Sequence, residues 1–294
     1  MTRWTVAIGN YPHTAALKSR AVRAEGLELE FPEIKPVNRA FAPMARELKF
    51  DVSEMAIATF LQAKAYGKKL TLLPLVMAAR FQEAALFRLK GSDIRSPADL
   101  KGKRVGVRAY SQTTGLWVRG ILSDQYGVAP SDIAWTTFEG AHVLEYPDPQ
   151  FVTRATPGKE LVKMLHDGEL DAIIVGNDVP DDPELTTVVA DPKAAADHFW
   201  SLNGFVPINH VVVVRTEQAL AEPSAVKQLV GLFEASKAES GRPKSERDNC
   251  PFGRAAIEPS LTMALRLALE QGLLPHPLSL KEIWENSPEI DSLS

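Results

Sequence analysis

The polar groups able to do proton chemistry are few and sit where apolar runs end. His13 lies in the turn at residues 10–14, after the apolar run 5–9, and His210 opens the run 209–214. Imidazoles ionise near neutral pH, so these two are the expected acid–base pair. Cations stand at comparable places. Arg80 follows a long apolar segment, Arg108 follows residues 104–107, and Arg119 falls inside a helical pattern, where an ion pair would also explain it. A guanidinium is the best-matched partner for a carboxylate. Thr113 and Thr114 stand at the head of the same helical pattern, as N-caps or as carboxylate ligands. Trp117, one turn later, could floor an aromatic ring or fill the core. Ser53 and Glu54 are expected to open another helix after a very short strand, Ser53 as cap or ligand and Glu54 as a first-turn acid or a base. Asn177 with Asp178, and His142, follow further apolar runs.

Other chemistries find no support. The six histidines show no H-x-x-x-H spacing and the single cysteine, Cys250, removes cysteine-based metal clusters and internal disulfides. Gly102, Gly106 and Gly115 do not form a dinucleotide fingerprint, and no nucleophile elbow is present. Neither a cofactor nor a metal is expected. A net charge of -4 without a basic run argues against nucleic acid as a partner. No stretch approaches 18 apolar residues and no secretory pattern opens the chain, so no membrane partner and a cytoplasmic location are expected. A homo-oligomer stays open.

These groups need elements to hold them. Residues 5–9, 27–31, 70–78, 84–89, 104–107, 133–138, 171–176 and 209–214 read as strands, interleaved with helices at 53–66, 113–125, 158–166, 193–201, 223–239 and 258–271. Residues 143–156, with Pro147 and Pro149, read as loop. Alternating strands and helices predict an α/β protein with largely parallel sheets. The 294 residues are expected to divide into one lobe from residues 1–88 plus 206–294 and a second from residues 89–205. Strand ends and helix N-termini would then face a cleft between the lobes.

Several of these segments carry a resemblance. Phe50-Asp51-Val52-Ser53-Glu54-Met55, then Asp99-Leu100-Lys101-Gly102-Lys103-Arg104-Val105-Gly106-Val107, then Thr113 with Trp117-Val118-Arg119-Gly120-Ile121-Leu122 follow one another in order. Gly168-Glu169-Leu170-Asp171-Ala172-Ile173, Gly204-Phe205-Val206-Pro207-Ile208-Asn209-His210 and Glu270-Gln271-Gly272-Leu273 complete the set. Together they resemble the 4,5-dihydroxyphthalate decarboxylase-like family over nearly the whole chain. The resemblance implies a two-lobed type 2 periplasmic-binding-protein-like fold. It also implies non-oxidative loss of CO2 from a small hydroxylated aromatic carboxylate. Two segments depart from the family pattern. Tyr11-Pro12-His13-Thr14 stands where members carry Tyr-Asp-Arg-Thr, and Ala79-Arg80-Phe81-Gln82-Glu83 where they carry Arg-x-Phe-Arg-His.

The expected function is therefore decarboxylation, with His13 and His210 moving protons and with Arg80 and the helix starts at Ser53 and Thr113 gripping a carboxylate. The alternatives are a solute-binding protein that closes on a carboxylate without chemistry, or another lyase on the same fold.

Overall fold

The computed structural model describes residues 2–176, 179–241 and 247–289. Two mixed sheets carry the chain. The first has the order β2-β1-β3-β11-β4 and is built from β1 (Thr2–Ala7), β2 (Leu27–Glu30), β3 (Val52–Ala56), β4 (Leu70–Ala79) and β11 (Ile208–Arg215). The second has the order β10-β5-β9-β6-β7-β8. It is built from β5 (Leu86–Leu89), β6 (Arg104–Val107), β7 (Ala134–Thr137), β8 (Val152–Arg154), β9 (Ala172–Ile174) and β10 (Leu185–Thr187). The parallel pairs are β1 with β2 and β3, β6 with β7 and β9, and β7 with β8. In the first sheet β11 is antiparallel to β3 and β4, and in the second β5 is antiparallel to β9 and β10. Each lobe is thus mixed rather than largely parallel.

Helices α1 (Ala15–Lys18), α2 (Phe41–Glu47), α3 (Ile57–Ala65), α7 (Thr216–Ala221), α8 (Pro223–Glu239), α9 (Arg254–Glu270) and α10 (Leu280–Ile283) accompany the first sheet, and α4 (Thr113–Tyr126), α5 (Leu161–His166) and α6 (Pro192–Asn203) the second. The chain crosses between sheets twice, through residues 80–85 and through residues 204–207. The expected division at residue 88 therefore cuts β5, which pairs wholly within the second sheet. Helix α9 packs on both α3 and α4 and so braces one lobe against the other.

Strand β11 shows why the apolar runs are continuous. Successive side chains point to opposite faces. Val211 and Val213 enter the core shared with α3, α4 and α9, while Val212 and Val214 enter the core beneath α8. With both faces covered, alternation disappears from the sequence. Helix α8 buries Val226, Leu229, Val230 and Phe233, one stripe at helical spacing. In α9 Leu261, Leu265 and Ala268 face inward, while Leu269 is exposed. Gly272 follows α9 with φ +71°, the left-handed geometry of a helix stop.

One element differs in kind. Residues 53–55 were expected to begin a helix, yet they lie inside β3, and α3 starts only at Ile57. The cause is tertiary. β3 is hydrogen-bonded on both sides, with Ser53 opposite Ala7 of β1 and Val213 of β11. Ladder bonds on both edges outweigh a local capping preference. The edge strands β8 and β10, three residues each, have no counterpart in the predicted strands.

Candidate active site

A cavity of about 430 Å³ lies between the lobes. The first lobe supplies Tyr11, Phe41, Thr59, Arg80, Asn209 and His210 to its wall, and the second supplies Arg108, Thr113, Thr114, Glu139 and His142.

The first-lobe wall centres on a buried carboxylate. Glu54 is completely buried and accepts three hydrogen bonds: from the Gly9 backbone N–H at 2.8 Å, from the Tyr11 hydroxyl at 2.6 Å and from His210 Nδ1 at 2.7 Å. The strand register makes this possible. Glu54 is opposite Val212 and His210 is opposite Ala56, so Glu54 and His210 are diagonal neighbours across β3 and β11. Burial works to raise the Glu54 carboxyl, but the donors from His210, Tyr11 and Gly9 outweigh it and hold the group below the usual carboxylate range. An ionised carboxylate only accepts, so Nδ1 of His210 carries the proton and Nε2 is the nitrogen free to act on a ligand. Burial, then the Glu54 charge, pushes the Tyr11 hydroxyl far above its ordinary range, and Tyr11 stays a neutral donor.

The anion-binding side is built from helix ends and a guanidinium. α3 and α4 begin beside one another, and the Ala58 backbone N–H donates to Thr113 Oγ1 at 3.2 Å. Unsatisfied N–H groups and the positive ends of both helices thus meet at the cavity. The N-cap of α4 is Gln112, not a threonine, and Thr113 and Thr114 are its first two helical residues. Arg80, just past β4, donates through Nη2 to Thr114 Oγ1 at 3.1 Å and approaches the Gly176 carbonyl at 3.5 Å. Its Nε has no hydrogen-bond partner, and no acidic side chain pairs with it among the described residues. Burial lowers its basicity, yet a guanidinium remains charged. Arg80 N also donates to Pro207 O at 3.0 Å, which keeps the guanidinium beside the start of β11 and His210.

The second-lobe wall carries Arg108, partly exposed, with its Nε 3.8 Å from Glu139. His142 Nδ1 is 2.9 Å from Thr59 Oγ1. Burial, then the charges of Arg108 and Arg46, pushes the His142 imidazole down to about 4.

Other sequence candidates lie elsewhere. His13 is buried but off the cavity wall, and it is Tyr11, stacked on it with ring centroids 5.0 Å apart, that reaches the wall. Ser53 is buried inside β3 and donates to the Glu54 carbonyl at 2.7 Å, away from the cavity. Trp117 has no exposed surface; its Nε1–H donates to Ile208 O at 2.7 Å, so it is core and not a floor for a ligand. Arg119 is buried, stacks on Tyr110 at 3.8 Å and donates through Nε to Gln271 Oε1 at 2.7 Å. Asn177 and Asp178 fall outside the described residues. Glu83 is buried off the wall, and Gln82 donates to Asn209 Oδ1 at 2.9 Å, holding a residue that does line it. Tyr11, Phe41 and Thr59 were not singled out from the sequence. Only the apolar-run boundary at Tyr11 hinted at a wall position.

Among the described residues no three His, Cys, Asp or Glu side chains converge as a metal set, and no helix is long and apolar enough to cross a membrane.

Comparison with known proteins agrees with this architecture. Residues 23–176 match the family described as NMT1/THI5 like. The chain is 30% identical to a 4,5-dihydroxyphthalate decarboxylase of Comamonas testosteroni over 277 residues, covering 90% of this chain and 83% of that one. It is 28% identical to the Pseudomonas putida protein of the same name over 211 residues, covering 67% and 80%. The alkanesulfonate-binding protein SsuA from Xanthomonas axonopodis pv. citri, bound to MOPS, superposes with a TM-score of 0.61 at 15% identity, covering 98% of this chain and 99% of that one. With its two α/β lobes of the periplasmic-binding-protein type, the chain belongs to the NMT1/THI5-like family and to the 4,5-dihydroxyphthalate decarboxylase-like proteins.

Proposed function

We propose that the protein is a non-oxidative decarboxylase of a small hydroxylated aromatic carboxylate related to 4,5-dihydroxyphthalate. The observation that carries the reading is Arg80, a half-buried cation with no acidic partner among the described residues, on the same wall as the Glu54–His210 pair. The names of the two decarboxylase relatives support it.

In this reading a substrate carboxylate sits on Arg80 and the N-terminus of α4, where a guanidinium and backbone donors neutralise it. His210, held by Glu54 through Nδ1–H, takes up a proton from solvent at Nε2 and delivers it to the ring carbon that bears the leaving carboxylate. The carbon–carboxylate bond then breaks, CO2 departs, and its electron pair restores the aromatic ring. One proton is consumed for each CO2 released, and no oxidant or reductant is needed. The cavity between two lobes suits closure over the ligand, which would exclude water from the proton transfer.

Purified protein is to be mixed with 4,5-dihydroxyphthalate and a panel of hydroxylated aromatic carboxylates while CO2 is measured. Release from at least one substrate, lost in His210→Gln, is expected; no release from any of them overturns the reading. The competing reading, a carboxylate-binding protein without chemistry, draws on the binding-protein neighbour of the fold. It predicts saturable binding of the same panel with no CO2.

A further inference from the structure

One imidazole on the cavity wall has no part in the proton delivery described above. His142 lies in the segment after β7, in the second lobe, yet it is docked on the first. Arg46 of α2 donates through Nε to the His142 carbonyl at 2.8 Å and through Nη2 to the Ala141 carbonyl at 3.1 Å. Its Nδ1 is engaged by Thr59 in the first turn of α3. Its ring meets Phe41 edge-on with centroids 6.2 Å apart, and His210 meets the same phenyl ring edge-on at 5.0 Å. Two imidazoles, one from each lobe, therefore meet Phe41 at the cavity. Nε2 of His142 has no protein partner among the described residues.

We infer that His142 accepts a ring hydroxyl of the substrate at Nε2 and serves as the base opposite His210. The inference deepens the decarboxylase reading and rests on it for the proton-transfer half; hydroxyl recognition stands without it. For Nε2 to accept, Nδ1 must carry the proton and donate to Thr59 Oγ1. The reaction balances in that arrangement. The hydroxyl proton passes to Nε2, and the oxygen's electrons push through the ring to the carbon ortho or para to it that carries the carboxylate. That carbon takes the proton from His210. The C–CO2 bond breaks, its pair returns to the ring, and the oxygen regains a proton from His142.

The surroundings of the two rings differ. His210 faces the Glu54 carboxylate, whereas His142 faces Arg46 and Arg108, with Glu139 beside Arg108 and Thr59 and Phe41 neutral. Burial and the two arginines keep His142 uncharged at neutral pH, with a lone pair available.

The test compares binding of 4,5-dihydroxyphthalate and of phthalate, which lacks the hydroxyls, to the full chain by calorimetry, alongside CO2 release. The chain is expected to prefer the hydroxylated ligand by about tenfold. His142→Phe should level the two affinities without weakening phthalate, and should slow CO2 release by about 10²–10⁴-fold. Thr59→Val, which leaves the imidazole in place, should move both readouts in the same direction by less, and guards against misfolding of the first variant. His210→Gln should stop CO2 release but keep the hydroxyl preference. If both Thr59→Val and His142→Phe keep the preference and the rate, the assignment of His142 is overturned while decarboxylation stands. If CO2 is never released but the preference exists and disappears in His142→Phe, decarboxylation falls and hydroxyl recognition by His142 stands.

Discussion

The Glu54 carboxylate accepts the Nδ1 proton of His210 at 2.7 Å, joining residues 156 positions apart through a diagonal across two antiparallel strands. This contact determines which imidazole nitrogen faces the cavity. Replacing Glu54 therefore disturbs the tautomer and the ring orientation before it disturbs anything else. Glu54→Gln keeps the shape but offers an amide that can no longer favour Nδ1–H so strongly. The expected outcome is a folded protein whose kcat falls at least about tenfold with KM little changed, measured by steady-state CO2 release. Glu54→Ala leaves Tyr11, Gly9 N–H and His210 unpaired in a buried place, and should cost about 3–5 kcal/mol in denaturant unfolding.

Arg80 separates binding from stability. Among the described residues its guanidinium makes one hydrogen bond shorter than 3.5 Å, to Thr114, and has no acidic partner. Arg80→Ala is expected to weaken carboxylate binding by about 10–100-fold while changing unfolding free energy by less than about 1 kcal/mol. Arg80→Lys should recover only part of the affinity, because an ammonium lacks the planar fork. Equal affinity in all three proteins would remove Arg80 from the ligand site.

Trp117 tests the division between core and cavity. Fully buried and hydrogen-bonded to Ile208 O, it is expected to cost about 3–5 kcal/mol on replacement by Ala, lowering Tm by on the order of 10 °C. Ligand affinity of the folded fraction should stay unchanged. A selective loss of affinity at unchanged Tm would instead place the indole at the ligand.

Acid should loosen the lobe contact made by His142. Its folded value of about 4 lies below the model-peptide 6.5, so the unfolded chain binds more protons between those values. Stability from this group is complete above about pH 6.5 and is lost as pH falls towards 4, by roughly 1.4 kcal/mol per pH unit crossed. Glu54, held below the usual carboxylate range, adds a loss at still lower pH. His142→Phe should flatten the upper part of that slope in denaturant titrations run between pH 4 and 7. An unchanged slope would show that other groups carry it.

The sequence by itself determined a good deal. Local periodicity marked β6 at residues 104–107, the helix α8 at residues 223–239 and the apolar run of β11, because each pattern reports burial of neighbouring residues. The order of family-like segments pointed to two lobes. Arg80 after an apolar segment, Thr113 and Thr114 at a helix start and His210 at the opening of an apolar run were also legible, and all four line the cavity.

What the tertiary structure alone decided depends on partners far apart in the chain. Ser53 and Glu54 carry a helix-start signature, yet pairing with β1 and β11 makes them strand and turns Glu54 towards His210. Trp117 and His13 have types suited to a site, but helix packing buries one in the core and the Tyr11 ring, not His13, reaches the cavity wall. His142 gains its setting from Thr59 and Arg46 of the other lobe, 83 positions away in the case of Thr59. A residue's type and its near neighbours encode whether it can do chemistry. Its protonation state and direction are set by long-range packing, which no local pattern contains.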